Sequence, residues 1–252
     1  MSEIFSLAGR KALVTGGSRG IGAATVELFA RNGAEVAFCH YHDETNADEL
    51  VRRLESAGLR VHARSCDVAS ESEVAAMASW AEDRLGRVDI LVNCAGIGGD
   101  KAFTDLTVPD WDRMLGVHLR GTFLVTQAFF RKMVERSYGR IINFASQLAY
   151  KGAPGLAHYC AAKAGVIGFT RALSYEGAPH GVMVNAVAPG PVETELLMGL
   201  SDEWRAMKKA QLPVGRFGHV DEIAPTVLLL ASQAGAFYTG QTLSPNGGDV
   251  MV

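Results

Sequence analysis

The stretch that decides the fold is Thr15-Gly16-Gly17-Ser18-Arg19-Gly20-Ile21-Gly22. It follows an apolar run, Lys11–Thr15, that is typical of a buried strand, and a helical pattern over Gly20–Asn32 comes next. Glycines at such a junction let the backbone turn tightly and approach a pyrophosphate at the helix N-terminus. A glycine pattern is weak evidence when it stands alone, and a tight turn made only for packing is the alternative. Its position between a strand and a helix favours a dinucleotide-binding βαβ unit.

The rest of the chain alternates short apolar runs with amphipathic stretches. The predicted strands are Lys11–Thr15, Glu35–His40, Leu59–Arg64, Val88–Asn93, Arg140–Ala145, Met183–Ala188 and Gln241–Ser244. The predicted helices are Gly20–Asn32, Glu44–Ala57, Glu71–Leu85, Val108–Arg136, Ala157–Gly177 and Val220–Ser232. This alternation predicts an α/β fold, a Rossmann-like, doubly wound parallel sheet of about seven strands with helices on both faces. We expect one domain over residues 1–252. Within it, Thr107 is predicted to cap a helix, with Pro109 in the first turn and Asp110 at the third position.

Composition excludes several classes of function. Of 252 residues, 48% are hydrophobic and 20% charged, as in a globular protein with a sizeable core. The net charge of −3 gives no support for nucleic-acid binding, and no apolar run approaches the roughly 18 residues of a membrane span. The N-terminal residues do not resemble a signal peptide. Because the four cysteines, Cys39, Cys66, Cys94 and Cys160, form no C-x-x-C pair, we expect no metal site and a cytoplasmic location.

A second stretch contains candidate catalytic residues. Tyr159 and Lys163 stand four apart in a predicted helix, so a phenol and an ammonium share one face. Ser146 follows the predicted strand Arg140–Ala145, where its hydroxyl can face the phenol. A free tyrosine has a pKa of about 10, and a desolvated lysine nearby would lower it toward neutrality. The trio predicts proton transfer coupled to carbonyl reduction, with Ser146 holding the substrate oxygen. A chance Y-x-x-x-K in a helix is the alternative.

Together these motifs resemble the short-chain dehydrogenase/reductase family. The resemblance rests on T-G-x-x-x-G-x-G at Thr15–Gly22, N-x-A-G at Asn93–Gly96, Ser146, and Tyr159-x-x-x-Lys163. It continues through Pro189-Gly190, Thr194, Gly215–Gly218 and Thr239–Gln241, and so covers essentially the whole chain. Within the family, the chain is most similar in character to the branch of 3-oxoacyl reductases and glucose dehydrogenases.

The resemblance implies a role for each matching residue. Tyr159 would be the general acid/base, Lys163 would lower its pKa and bind the nicotinamide ribose, and Ser146 would orient the substrate. The implied cofactor residues, besides Tyr159 and Lys163, are Gly16, Ser18, Arg19, Gly20, Ile21 and Gly22 at the pyrophosphate turn, Asp67 and Val68 beside the adenine, Asn93, Ala95 and Gly96 beside the adenine ribose, and Pro189, Gly190, Val192 and Thr194 at the nicotinamide carboxamide. A turn or cap role for Asp67, and a purely structural hydrogen bond for Asn93, are alternatives.

One position departs from the family pattern. The family carries an asparagine in its central helix, usually within N-x-x-G, and the matching stretch here is His118-Leu119-Arg120-Gly121. In the family that asparagine supports a water chain leading to the lysine. Histidine also donates and accepts hydrogen bonds, but it is bulkier and titrates near neutrality. We expect His118 to act in the relay and activity to survive with a changed pH profile. A packing role for His118 is the alternative.

The preference for one nicotinamide cofactor depends on the end of the second predicted strand. Relatives that prefer NAD carry an acidic residue there, which binds the ribose 2′-hydroxyl. This chain has His40 at that position and no carboxylate before Asp43, and Arg19 lies in the glycine turn. Both side chains suit a 2′-phosphate, so we predict NADP(H), with NAD(H) less favoured. The alternative is that Arg19 and the histidines at positions 40 and 42 are solvated surface groups.

A segment at about 191–215, called the covering segment below, resembles the family's cover over the substrate. Its apolar residues, among them Leu197, Met198, Trp204 and Met207, indicate a hydrophobic cleft for a ketone, or else an amphipathic helix docked on the core.

The sequence therefore predicts an NADP(H)-dependent carbonyl reductase or secondary alcohol dehydrogenase acting on a small-molecule ketone or alcohol. The alternatives are an NAD-dependent alcohol dehydrogenase and a non-catalytic NADP-binding regulatory or structural protein. The presence of Ser146, Tyr159 and Lys163 speaks against the second alternative. The resemblance also implies a homotetramer.

Overall fold

Seven parallel strands form one sheet at the centre of the protein. The computed structural model describes residues 3–199 and 201–251, so Leu200 of the covering segment lies outside the described residues. The strands are β1 (Lys11–Thr15), β2 (Glu35–His40), β3 (Val61–Ser65), β4 (Ile90–Asn93), β5 (Gly139–Phe144), β6 (Val182–Val187) and β7 (Thr242–Leu243). Their order across the sheet is β3-β2-β1-β4-β5-β6-β7, and each neighbouring pair is parallel. The predicted doubly wound Rossmann-like sheet of about seven strands is confirmed.

Helices connect the strands. They are α1 (Gly20–Arg31), α2 (Glu44–Ser56), α3 (Glu71–Leu85), α4 (Val108–Leu115), α5 (Gly121–Glu135), α6 (Leu148–Lys151), α7 (Ala157–Gly177), α8 (Glu195–Met198), α9 (Asp202–Gln211) and α10 (Val220–Ala231). Short 3-10 turns lie at Glu3–Phe5, Ala178–His180 and Gln233–Gly235. The helix α6 was not among the predicted elements, whereas α8 and α9 lie in the segment at about 191–215, where a helix was one of two interpretations. No helix in the described part of the chain is long and apolar enough to cross a membrane.

The alternation of side chains along β1 explains why helices pack on both faces. Ala12 and Val14 join a buried cluster that includes Phe29 of α1. Leu13, which points to the opposite face, joins a second cluster that includes Phe129 of α5. Burying one phenylalanine side chain of this size contributes about 1.5–3 kcal/mol. Because both faces of the strand are apolar, the sheet is stable only when helices cover both of them.

The predicted continuous helix over Val108–Arg136 is wrong in one respect. Its start is confirmed, because the Thr107 side chain accepts from the backbone N–H of Asp110 and the Asp110 carboxylate accepts from the N–H of Thr107. A π turn over Gly116–Arg120 then separates α4 from α5, and the N–H of Gly121 donates to the carbonyl of Gly116, five residues back. A π turn inserts an extra residue into a helical turn, and such insertions are frequent at functional sites. His118 lies inside this one.

The carboxyl ends of the strands define where a site can form. Because all seven strands are parallel, β1, β4, β5 and β6 end at the same edge of the sheet. The strand order reverses direction between β1 and β4, and ligands bind at such switch points in open α/β sheets. Thr15, Asn93 and Phe144 mark the ends of the three central strands there.

Candidate active site

The glycine turn between β1 and α1 is packed so closely that side chains do not fit. A Cβ atom on Gly22 would lie 2.0 Å from the carbonyl oxygen of Gly16, and one on Gly16 would lie 2.8 Å from Cα of Ala95. Gly20 has a φ of 56°, and a Cβ there would meet only Thr194, at 3.5 Å. The backbone therefore folds back against the loop after β4 and leaves its outer face open. This cradle, at the positive end of the twelve-residue α1, suits a pyrophosphate.

Two further residues of the turn make polar contacts. The Ser18 hydroxyl donates to Oδ2 of Asp43 at 2.6 Å, and Nε of Arg19 lies 3.9 Å from the same carboxylate oxygen. Nη1 of Arg19 lies 3.1 Å from Oε2 of Glu195 at the start of α8. The Arg19 side chain remains 63% exposed. Arg19 and Glu195 thus bring the covering segment to the glycine turn.

His40 at the end of β2 is buried, and its Nδ1 has no hydrogen-bond partner within the described residues. The alternative that His40 is a solvated surface group is therefore wrong, whereas its contact with the cofactor stays a prediction. Asp67 is engaged locally, since its carboxylate accepts from the N–H of Ala69 at 2.9 Å and from Arg113 at 2.7 Å. This is the turn role that the sequence left open. Val68 beside it is buried in the core.

The strand-end amide of Asn93 links strands and helices. Its Nδ2 donates to Oδ1 of Asn143 at 2.8 Å and to Oγ1 of Thr126 at 2.9 Å. The structural hydrogen bond between strands is therefore present, and Oδ1 of Asn93 is buried with no partner in the described part of the chain. Sequence reasoning missed a role for Thr15, whose Oγ1 accepts from the N–H groups of Cys94 at 3.1 Å and Ala95 at 3.0 Å. Its position at the strand end, directly before the glycine turn, was the available signal.

The segment after β6 lies against the residues that follow β5. The carbonyl of Pro189 accepts from the N–H of Gln147 at 3.2 Å, and the N–H of Gly190 donates to Pro245 at 3.1 Å. A Cβ on Gly190 would lie 2.6 Å from Cα of Asn246. Val192 is buried and pairs with Gly218 in a single parallel bridge. The residues after β6 thus lead to Thr194, which lies beside Gly20 of the glycine turn.

Ser146 and Tyr159 come together across the gap between β5 and α7. Ser146 is buried two residues after β5, and its Oγ accepts from the N–H of Leu148 at 3.1 Å. Tyr159 lies in the first turn of α7. Burial raises the pKa of the Tyr159 phenol, and hydrogen bonding with the Ser146 side chain acts in the opposite direction. The phenol therefore keeps its proton at neutral pH.

Lys163 lies one turn beyond Tyr159 and is buried. Its Nζ donates to the carbonyl of Phe144 at 2.5 Å and stands 5.7 Å from the centroid of the Tyr159 ring. Burial lowers the pKa of Lys163 to about 8. The expected lowering of the Tyr159 pKa by Lys163 stays a prediction, because the causes of the shift at Tyr159 are burial, Ser146 and two neighbouring cysteines.

His118 packs directly against Tyr159. The two rings meet edge to face, with centroids 5.2 Å apart and planes at 85°. Nε2 of His118 lies 2.9 Å from the carbonyl oxygen and 3.2 Å from the nitrogen of Ile97, and a Cβ on Gly96 would lie 2.6 Å from the imidazole. Burial and the charge of Lys163 lower the pKa of His118 to about 3. The expectation that His118 titrates near neutrality is therefore wrong.

Comparisons with known proteins agree with this geometry. The family model described as enoyl-(acyl carrier protein) reductase matches residues 16–249. The chain belongs to the short-chain dehydrogenase/reductase family and is an oxidoreductase that acts on CH–OH or ketone groups.

Among the residues that the structure describes, no group of three or more His, Cys, Asp or Glu side chains is arranged to hold a metal ion.

Three relatives illustrate the range of the family. The chain is 40% identical to a 3-oxoacyl-[acyl-carrier-protein] reductase of Aquifex aeolicus, over 97% of this chain and 98% of the relative. It is 39% identical to an acetoacetyl-CoA reductase of Allochromatium vinosum, over 95% and 98%. A gluconate 5-dehydrogenase of Burkholderia cenocepacia, solved in complex with NADP and tartrate, superposes with a TM-score of 0.92 at 36% identity, over 98% and 97% of the two chains.

Proposed function

We propose that the protein is an NADP(H)-dependent carbonyl reductase or secondary alcohol dehydrogenase in which Tyr159 exchanges the proton. The observation that carries the proposal is the placement of Tyr159 in the first turn of α7, with the ammonium of buried Lys163 5.7 Å from its ring centroid and buried Ser146 just after β5. Ser146 would hold the substrate oxygen, and Tyr159 would donate to it during reduction. Because the phenol keeps its proton at neutral pH, it is a donor in that direction.

The glycine turn, from Gly16 to Gly22, would hold the cofactor pyrophosphate, and Lys163 would bind the nicotinamide ribose once it turns from the carbonyl of Phe144. When bound, the nicotinamide supplies or accepts the hydride. The other binding residues implied by the family, from Asp67 and Val68 to Thr194, are part of the same proposal. Water is excluded from Ser146 and Lys163 by burial, which strengthens their polar interactions with a bound substrate.

The preference for NADP(H) is supported by Arg19. Its guanidinium is mostly exposed beside the pyrophosphate turn, where a 2′-phosphate can accept from it. The Burkholderia relative was solved with NADP. The position of Asp43 favours the alternative, an NAD-dependent alcohol dehydrogenase. Its carboxylate accepts from Ser18 and lies near Arg19, beside the glycine turn. A carboxylate repels a phosphate but accepts from a ribose 2′-hydroxyl.

The proposed substrate is a small ketone or secondary alcohol with an apolar flank. Met198, Trp204 and Met207 of the covering segment are exposed, whereas Leu197 is buried in a small cluster with Phe217. Leu197 therefore serves packing, whereas the apolar residues of α9 are not docked on the core, so both interpretations of the segment stay open. Its exposed apolar residues remain available for a substrate or for another subunit. We also propose a homotetramer, as the family resemblance implies, and sedimentation analysis tests it.

The test is an assay of the purified protein with NADPH and NADH in parallel, following nicotinamide absorbance. The substrates are aryl ketones, β-keto esters and cyclic ketones. We expect turnover with NADPH and a lower KM for NADPH than for NADH. Equal or better turnover with NADH would replace the NADP(H) proposal with the alternative. Cofactor binding without turnover on any member of the panel would contradict the reductase proposal.

A further inference from the structure

A buried carboxylate near the C-terminus accepts from three side chains, two in the segment after Ser146 and one in α9. Oδ1 of Asp249 accepts from Nζ of Lys151 at 2.7 Å and from Nζ of Lys208 at 2.8 Å. Oδ2 accepts from Nζ of Lys208 at 2.7 Å and from Nε2 of Gln147. The Asp249 side chain is 6% exposed and the Lys208 side chain is 11% exposed.

The three donors belong to two parts of the candidate active site. Gln147 follows Ser146 directly, and its backbone N–H donates to Pro189. Lys151 ends α6, and Lys208 belongs to α9 in the covering segment. Asp249 therefore connects the segment around Ser146 to the helix that lies over the substrate end.

The tail that carries Asp249 is shaped to fit against the covering segment. Gly247 and Gly248 have φ values of 66° and 86°. A Cβ on Gly247 would lie 2.7 Å from Val214, and one on Gly248 would lie 2.7 Å from Pro213. The carbonyl of Gly247 accepts from the N–H of Val214 at 3.3 Å. The glycines let the tail backbone approach the end of α9 closely enough for Asp249 to reach Lys208.

Burial distinguishes this network from a surface ion pair. Exposed pairs contribute little, because solvent screens them and their side chains lose entropy. Here the carboxylate and Lys208 are both shielded from water. Removing the Asp249 carboxylate leaves the Lys208 ammonium buried without an acceptor, which is strongly unfavourable. The buried pair of Lys208 and Asp249 therefore holds α9 in its position.

We propose that Asp249 is a positioning residue for the substrate end of the active site, which fastens α9 to the segment that follows Ser146. The expected effect on the KM of the substrate rests on the proposed function, whereas the expected loosening of α9 does not. Loss of the carboxylate frees α9, so the substrate meets a less ordered cleft. The glycine turn and Lys163 lie outside the network, so cofactor binding is unaffected.

The test compares the full-length protein with Asp249→Asn. We expect the KM of the ketone substrate to rise about tenfold, as for loss of one charged hydrogen bond, with kcat nearly unchanged. The dissociation constant of NADPH, measured by fluorescence titration, stays the same. Hydrogen exchange of residues 202–211 becomes faster, whereas exchange of residues 20–31 does not change. A second variant, Lys208→Met, gives the same changes, and the double variant is no worse than either single one.

Glu203→Gln is the matched control, because it removes an exposed charge from α9 and leaves Asp249 and Lys208 paired, so the KM of the ketone is expected to stay as in the wild type. Unchanged exchange of α9 in both Asp249→Asn and Lys208→Met would overturn the inference. Faster exchange throughout the chain, with ketone and cofactor binding weakened alike, would also overturn it, since it indicates general destabilisation. If the wild-type protein reduces no ketone, the proposed function fails, and hydrogen exchange still decides the role of Asp249.

Discussion

The imidazole of His118 stands edge-on to the phenol of Tyr159, with ring centroids 5.2 Å apart. The contact depends on the π turn, which contains His118, and on Gly96, which leaves room for the imidazole. A neutral, buried imidazole limits the space open to the phenol on that side. We infer that His118 fixes the position of Tyr159 and anchors the loop at Ile97, in place of the family asparagine.

The buried state of His118 predicts a pH-dependent stability. Its pKa in the folded protein is about 3, against about 6.5 in an unfolded chain. As the pH falls below 6.5, the unfolded chain binds a proton that the folded protein does not, so the free energy of unfolding decreases. Between pH 7 and pH 5 this group accounts for a loss of about 2 kcal/mol. His118→Asn is expected to lose less stability over this interval by that amount.

Urea unfolding of the wild type and His118→Asn at pH 7 and pH 5 measures the difference. Other histidines contribute equally to both proteins and cancel. An identical loss of stability in the two proteins would show that folding does not lower the pKa of His118, and the description of His118 as a buried, neutral imidazole against Tyr159 would then be wrong.

Arg19 predicts a selective effect on the cofactor. In Arg19→Ala we expect the KM of NADPH to rise at least about tenfold, because a charged hydrogen bond to the 2′-phosphate is lost. The KM of NADH should stay the same, because that cofactor has no phosphate at the 2′ position. Steady-state kinetics with both cofactors measures the ratio.

The matched control is Arg31→Ala, which removes an arginine at the other end of α1 where it pairs with Glu27. Parallel increases in the KM of NADPH and NADH for Arg19→Ala would contradict the assignment of Arg19 to the 2′-phosphate.

Two glycines predict opposite responses to alanine. A Cβ on Gly22 meets the carbonyl of Gly16 at 2.0 Å, so Gly22→Ala is expected to displace the turn, abolish cofactor binding and cost about 1–3 kcal/mol of stability. A Cβ on Gly168, inside α7, meets no heavy atom within 4 Å. Gly168→Ala is expected to gain about 0.5–1 kcal/mol, because alanine loses less backbone entropy in a helix.

Chemical denaturation gives both stabilities, and fluorescence titration with NADPH gives the binding. Wild-type affinity for NADPH in Gly22→Ala would show that the cofactor does not use this turn.

Local patterns predicted most of the framework. The strand Lys11–Thr15, the helices Glu71–Leu85 and Ala157–Gly177, and the cap at Thr107 appear with the expected bounds. The strand and the helices follow from the periodicity of apolar residues, and the cap follows from a pair of residues three positions apart. Both signals are local in sequence. The spacing of Tyr159 and Lys163 was equally local, since four residues make one helical turn.

The features that sequence could not predict depend on distant contacts. The π turn at His118 has no residue pattern that sets it apart from an ordinary helix, and the residues that His118 contacts, Ile97 and Tyr159, are distant in sequence. Asp249 meets Gln147 across 102 positions of sequence and Lys208 across 41, so no short pattern links them. The burial that lowers the pKa of His118 likewise comes from the assembled fold.

The central claim is that the Tyr159 hydroxyl supplies the proton, and Tyr159→Phe tests it most directly. The variant removes only the O–H group and keeps the ring that packs against His118. We expect it to bind NADPH as the wild type does and to lose ketone reduction by a factor of about 10²–10⁴, the usual contribution of general acid catalysis. Turnover close to that of the wild type, with NADPH binding intact, would contradict the account.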